Sequence, residues 1–322
     1  MSKMKCIQIT SPCKFEGRQM VEASKVELVE QEIPKLPPGH EYAGEIVDID
    51  ENNPFVLKKG MIVTVNPYFN CGECYTCKKG FVNCCPDNQT MGCSIREGAY
   101  KEYISMPLEK IYDGKGMDPR TLVLIEPFCI SYHAVKLANV KPGDRVLVVG
   151  AGTIGYLAGA AAKMLGAEVY MADVAPDKLE NAKKNLGLAG VILNDDNATF
   201  PEKVAAITDG AGFDVCFEAV GFPSTVQNCI DAATFHGRIV IIGVGKTSMD
   251  FFYPIIQKKE LQIFGSRNAL KEDFIELIDA VNAGKFDLSS VISKEYNYLD
   301  APEAFPEIVA NRGENLKVIF KF

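Results

Sequence analysis

Val146-Leu-Val-Val-Gly-Ala-Gly-Thr-Ile-Gly155 is a short apolar run that breaks into Gly150-x-Gly152-x-x-Gly155 and passes into an Ala-rich segment reaching Leu165. The pattern predicts a strand, a tight turn and a helix. The glycines have separate tasks: one lets the chain turn, one lets the backbone approach a pyrophosphate, and one lets the helix pack closely on the strand. Amides at the positive end of the helix dipole then suit phosphate. A lone pattern of this kind also occurs in Gly-rich turns that hold nothing. Context decides here, because Ala167-Glu-Val-Tyr-Met-Ala-Asp173 is a second apolar strand closing on a carboxylate, at roughly the 20-residue distance expected of the acid that binds the ribose.

The same alternation continues outward. Strands are predicted at 145–150, 167–172, 190–193, 213–218, 238–243 and 261–264, with helices at 153–165, 176–186, 199–208 and 223–234 and none between the last two strands. This is the rhythm of a doubly wound parallel sheet in the α/β class. Before it, residues 1 to 134 carry short β-type runs, Val26–Val29, Ala43–Ile49 and Met61–Val65, separated by Pro, Gly and Asn, which predicts a small irregular β domain. After Arg267 an amphipathic segment, Phe274 to Val281, leads through Gly284 to a last β run, Leu316 to Phe320. That tail is too short for a domain of its own and is expected to pack back on the first.

A chain of 322 residues exceeds the usual reach of one core, so two domains are expected. A hydrophobic fraction of 47% against 24% charged residues describes a globular chain with sizeable cores, and a net charge of −8 gives nucleic-acid binding no electrostatic support. The N-terminus lacks a signal-peptide core and no run has the length of a membrane span, so a cytoplasmic protein without membrane contact is expected.

Cysteines number eleven, an odd count, and five of them crowd between Cys71 and Cys85, which argues for metal and reduced thiols over disulfides. Cys71, Cys74, Cys77 and Cys85 form a C-x2-C-x2-C-x7-C set that suits closed tetrahedral zinc, with iron–sulfur as the other chemistry for such thiolates. Spacing alone does not choose between Cys84 and Cys85. The remaining cysteines, 6, 13, 93, 129, 216 and 229, read as small buried hydrophobes, and His133 and His236, without a nearby acid or thiol in sequence, read as structural.

Gly39-His40-Glu41 with Gly44, the four-cysteine lobe, Glu126-Pro127, Lys141-Pro-Gly-Asp144, the Gly150 turn, Phe213 to Gly221, Gly237 to Gly243 and Gly265-Ser-Arg-Asn268 stand in one order along the chain. In that order they resemble the zinc-dependent medium-chain alcohol dehydrogenases, and within them the polyol and sugar-acid branch. The resemblance implies a GroES-like β domain from 1–134 and 270–322, with a zinc lobe at 66–93, around a Rossmann domain at 135–269. It implies catalytic zinc ligands His40 and Glu126, with Glu41 as an occasional ligand or a group supporting the ligands from behind, and favours Cys85 as fourth ligand of the structural zinc. Cofactor contacts are implied for Gly150, Gly152, Thr153, Ile154, Gly155, Asp173, Lys178, Ala219, Val220, Gly243, Val244 and Ser266. Asp173 implies NAD over NADP, and Arg267 could meet a substrate carboxylate. The implied activity is oxidation of a secondary alcohol of a small polyol or sugar acid, in a homodimer or homotetramer.

One departure is serious. The family places a Cys-Gly-Ser/Thr-Asp segment, source of a further zinc ligand, ahead of Gly-His-Glu; here Glu32-Ile-Pro-Lys-Leu-Pro-Pro38 runs straight into Gly39. His40 and Glu126 alone make two ligands, Glu41 would have to become a direct third, and weak zinc with partial or no occupancy is expected. A catalytically silent NAD-binding protein of the same fold is the rival reading.

Overall fold

The computed structural model describes residues 39–322 apart from 51, 94–95 and 312, together with the backbone of four earlier strands, Lys3–Ser11, Lys14–Glu16, Gln19–Glu22 and Lys25–Glu32. The side chains of Cys6 and Cys13 and the whole of 33–38 lie outside the described residues. The chain divides into two compact units, one of Met1–Glu126, Phe274–Asn282 and Asp287–Phe322, the other of Pro127–Asp273 with Ala283–Phe286.

The second unit is built on β1 (Arg145–Val149), β2 (Glu168–Asp173), β3 (Gly190–Leu193), β4 (Phe213–Glu218), β5 (Ala233–Ile241) and β6 (Gln262–Gly265). They form one parallel sheet in the order β3-β2-β1-β4-β5-β6, which reverses direction at β1. In such sheets the ligand crevice opens at the carboxyl ends where the order reverses, and the Gly150 turn leaves the carboxyl end of β1. Helix α1 (Thr153–Met164) follows it with Gly155, Ala158, Gly159, Ala160, Ala161 and Ala162 all buried, a small-residue face that lets the helix lie close to the sheet. Helices α2 (Pro176–Leu186), α3 (Phe200–Thr208) and α4 (Pro223–Ala232) each begin with Pro in the first turn, where a missing N–H costs nothing. Leu147, Val149, Ile192, Phe200, Phe213 and Cys216 meet in the core.

Two expectations need correction. A short helix, α5 (Pro254–Lys259), does stand between β5 and β6. Its six residues include none that is buried, so no apolar periodicity announced it. Strand β5 begins at Ala233, inside the stretch expected to be helical, because Ala233 pairs with Phe213 before a register shift brings Arg238 opposite Val215. His236, at φ +63°, lies within that bulge.

The first unit pairs Lys3–Ser11 with Lys25–Glu32, and packs Ala43–Glu45, Ile62–Val65 and Ile111–Asp113 into a three-stranded antiparallel sheet. The strand expected over Ala43–Ile49 stops at Glu45, as Asp50 and Asn53 side chains bind the amides of Asn52, Phe55 and Leu57 and turn the chain. Ile292–Asn297 and Lys317–Lys321 pair in parallel through the helix Ala301–Ala310, so the tail completes this unit.

In the second unit His133 and His236 do find acids, Asp273 at 2.9 Å and Glu260 at 3.2 Å, brought from far along the chain. Asp273 is buried and also accepts from the Leu270 amide at 2.8 Å. Burial would raise its carboxyl; the bonds from His133 and Leu270 outweigh that and hold it below the ordinary carboxylate range. A depressed folded value stabilises above the unfolded value of roughly 3.9 and is lost as pH falls through the folded one. Asp273→Ala is expected to cost about 3 kcal/mol at pH 7, with the gap to the parent closing below about pH 4. Denaturant unfolding across pH checks this, and equal stabilities at pH 7 would contradict it.

Candidate active site and metal centres

The turn after β1 is sterically committed. A Cβ on Gly155 would stand 1.8 Å from the Gly150 carbonyl oxygen, and Gly150 itself sits at φ +111° with Val220 Cγ2 2.7 Å from where its Cβ would be. Gly152 differs: nothing lies within 4 Å of its Cβ position, and no side chain caps the helix it opens. An open face over an uncapped helix N-terminus fits a pyrophosphate. Asp173, at the end of β2, accepts from the amides of Ala151 at 2.6 Å and Ala175 at 2.9 Å, one on each oxygen, and each oxygen retains a lone pair for a hydroxyl.

Ala219 and Val220 form the turn after β4, and Gly243 and Val244 that after β5. The two turns touch through backbone, since a Cβ on Gly243 would be 2.2 Å from the Gly221 nitrogen. Ser266 follows β6 with a buried hydroxyl that has no hydrogen-bond partner, Lys178 is half-buried on α2, Thr153 and Ile154 open α1, and Arg267 is exposed. Glu218 was missed by the sequence reading. Fully buried at the end of β4, it accepts from the amides of Val220 and Gly221 and from the Thr225 hydroxyl, and so fixes the Ala219–Gly221 turn.

In the first unit the lobe gathers Cys71, Cys74, Cys77 and Cys85, one ligand atom of each within 4.8 Å of all the others. Cys74 and Cys77 flank the start of a four-residue helix, Tyr75–Lys78, and Cys85 follows a single 3-10 turn. The Cys85 sulfur is 3.6 Å from that of Cys71 and 3.9 Å from that of Cys74. Tetrahedral zinc with bonds of about 2.3 Å would hold its sulfurs about 3.8 Å apart, so the thiols stand at the spacing of the ion. The Thr76 hydroxyl, followed by the Cys77 amide, brings the Cys74 thiol down to about 6, towards the thiolate a metal needs. Cys84 points elsewhere, exposed and outside this group.

His40, Glu41 and Glu126 form a second group with the same 4.8 Å closeness. His40 and Glu41 precede the strand Ala43–Glu45, and Glu126 lies in the first turn of the helix Ile125–Leu137. Glu126 is 1% exposed and takes a short hydrogen bond from the Tyr68 hydroxyl. Burial, and then the charge of Glu41, push its carboxyl up to about 8, while burial keeps the His40 imidazole below its ordinary value and so neutral. Lys317 donates to both oxygens of Glu41 at 2.6 Å. Two neighbouring carboxyls, one of them paired with Lys317, and a neutral imidazole are a donor set that fits a divalent cation.

Tyr68 and Lys317 carry no motif, and Lys317 reaches the site from the last strand. Cys93, expected to be buried, is exposed instead, with its sulfur 3.2 Å from His40 Nδ1. Cys129, Cys216 and Cys229 are buried, as expected. Among the described residues no helix is long and apolar enough to cross a membrane.

Comparison with known proteins agrees with this geometry. A family described as zinc-binding dehydrogenase matches residues 153–283, and one described as alcohol dehydrogenase GroES-like domain matches 8–115. The chain is similar to L-galactonate-5-dehydrogenase of Escherichia coli, 36% identical over 284 residues that cover 88% of this chain and 82% of that one. It is similar also to sorbitol dehydrogenase of Bacillus subtilis, 30% identical over 285 residues covering 87% and 79%. Among solved structures, an Escherichia coli oxidoreductase of unknown specificity superposes with a TM-score of 0.87 at 25% identity over the whole of both chains.

Proposed function

We propose that this chain, which belongs to the zinc-dependent alcohol dehydrogenases, oxidises a secondary hydroxyl of a polyol or sugar acid to a ketone with NAD as acceptor. The observation that carries the reading is the group of His40, Glu41 and Glu126, three donors gathered within 4.8 Å in a chain whose other unit bears a dinucleotide turn. Likeness to proteins named for galactonate and for sorbitol supports the substrate class. The silent rival rested on the absent cysteine segment, and the assembled donors weigh against it.

Zinc at this group would supply Lewis acidity toward the substrate oxygen, and bound NAD would accept the hydride. The chain does the rest. His40, Glu41 and Glu126 are the residues that would hold the ion, Tyr68 steadies Glu126, and Lys317 orients Glu41 through both of its oxygens. In the other unit the open face of Gly152 admits the pyrophosphate and Asp173 takes the ribose hydroxyls. The carbinol carbon loses hydride and its hydroxyl loses a proton, giving a ketone, NADH and a proton. Arg267, with its planar guanidinium, is proposed to pair with the carboxylate when the substrate is a sugar acid.

Zinc-replete protein assayed against polyols and hexonates is expected to reduce NAD with at least one of them. A 2′-phosphate would set like charge against Asp173, so NADP is expected to be poorer by about 100-fold in kcat/KM, and Asp173→Ser to narrow the gap to about tenfold. No hydride transfer with any substrate would favour the silent protein, and equal use of both cofactors would remove Asp173 from its role.

A further inference from the structure

A sulfur stands beside the ligand imidazole without belonging to the metal group. Cys93 Sγ is 3.2 Å from His40 Nδ1, whereas the ligand atoms within 4.8 Å of one another are those of His40, Glu41 and Glu126 alone. Three protein ligands suit a catalytic ion, whose fourth position stays open for the substrate oxygen. Cys93 is thus placed to act on the ring.

The placement is built into the backbone. Gly39 and Gly92 both take left-handed conformations, φ +98° and +69°, and a Cβ on Gly92 would fall 2.4 Å from the Gly39 carbonyl oxygen. The Ala99 amide donates to that same oxygen at 2.9 Å, the Gly92 amide donates to the Arg96 carbonyl at 3.1 Å, and the Met91 amide donates to the Pro67 carbonyl at 2.9 Å. The loop that carries Cys93 is therefore tied at several points against the segment that carries His40, at a spot where only glycine fits.

An imidazole that binds a metal offers one nitrogen as a lone pair and keeps its proton on the other, and the hydrogen bond made by that proton decides which nitrogen is offered. Metal-bound histidines usually give the proton to a carboxylate, a backbone carbonyl or water. Here, among the described residues, the Cys93 sulfur is the only hydrogen-bond partner of the His40 ring. The reverse sense, with the thiol donating to Nδ1, would leave the ring proton on Nε2 and give a metal no lone pair there. We propose that Cys93 is a positioning residue for the metal site: its sulfur accepts from His40 Nδ1 and so fixes the ring with Nε2 as the nitrogen offered to the ion. The inference rests on the reading of His40, Glu41 and Glu126 as a metal site, and its test separates the two.

The chain has only three histidines, so their ring nitrogens can be followed singly by NMR of nitrogen-15 histidine-labelled protein, with His40→Gln assigning the signal. In zinc-loaded parent protein His40 is expected to carry its proton on Nδ1 and to bind metal through Nε2. Cys93→Ala is expected to hold zinc at this group about 10- to 100-fold more weakly, the scale of losing a partner behind a ligand histidine, while the lobe keeps its metal. Cys93→Ser retains an acceptor and is expected to restore most of that affinity, which a thiol that merely filled space would not require. Equal losses in the two variants, no loss in Cys93→Ala, or a His40 bound through Nδ1 would overturn Cys93 as positioning residue and leave the three-donor site standing. A parent chain that holds zinc in the lobe only would overturn both. Should the variants lose the lobe's metal and so betray a folding defect, the spectrum of the loaded parent decides alone: a proton on Nδ1 supports the proposal, and one on Nε2 overturns it.

Discussion

Glu126→Ala is expected to lower kcat/KM for alcohol oxidation by about three orders of magnitude while NADH binding stays within about twofold of the parent. The carboxyl is buried and within 4.8 Å of the donor atoms of His40 and Glu41, so its loss leaves any ion there short of a ligand. Lewis-acid stabilisation of developing charge is worth several kcal/mol, and about 4 kcal/mol is a thousandfold. Metal content should fall by the equivalent held at this group, with the lobe's metal retained as the sign of a folded chain. Activity within about tenfold of the parent would remove Glu126 from the catalytic machinery.

Stability against pH provides a second test of the same residue. In metal-free protein the Glu126 carboxyl sits at about 8, raised first by burial and then by Glu41. A raised folded value stabilises fully below the unfolded value of roughly 4.3, and that contribution is lost as pH climbs through the folded one. Metal-free parent protein should therefore weaken between about pH 5 and pH 8. Glu126→Gln, whose amide still reaches the Tyr68 hydroxyl, should flatten that slope, and metal should abolish it in the parent.

How much of this was legible in the sequence follows from how local each signal is. The Gly150 to Gly155 turn and its helix were, because the steric demand sits within a few residues: Gly155 has no room for a Cβ beside the Gly150 carbonyl. Five of the strands in the parallel sheet fell where their apolar runs stood. Strand β5 did not, since its first pairing depends on Phe213 across the sheet and on a bulge at His236. The helix Pro254–Lys259 was illegible because it is a short segment with no fully buried residue, only Ile255 and Ile256 lying part-covered against the core.

At the site the same division holds. His40, Glu41 and Glu126 carry motif neighbours. Tyr68, Lys317 and Cys93 reach them only by tertiary contact, separated along the chain by 58, 276 and 53 residues from the groups they touch. Glu218 lay between these extremes. An acid closing an apolar strand ahead of a Gly turn is a visible pattern, but its three donors become apparent only when the turn folds back. The thiol of Cys93 was hidden for a further reason: small buried hydrophobe is the common fate of a lone cysteine, and only the close packing of Gly92 on Gly39 sets this one apart.

Removing one ligand of the cysteine lobe should have the largest effect on stability. Between Cys71 and Cys85 the chain has little else to hold it: its helix is a single turn, and the aromatic residues there face outward, Tyr75 at 77% and Phe81 at 60% exposed. Apolar burial cannot order such a segment, and the metal becomes its core. Structural zinc contributes about 10–16 kcal/mol of apparent binding free energy in small domains, expressed as folding. Cys85→Ser is expected to lose that metal equivalent and to lower the melting temperature by about 10 °C or more, on the scale of about 2–4 °C per kcal/mol for chains of this size class. Cys84→Ser, one residue away on an exposed thiol outside the group, is expected to change the melting temperature by less than about 2 °C and the metal content not at all. The pair isolates ligation from the general cost of losing a thiol in this loop. Equal effects of the two substitutions, or full metal content in Cys85→Ser, would show that the lobe is held by something other than its four sulfurs.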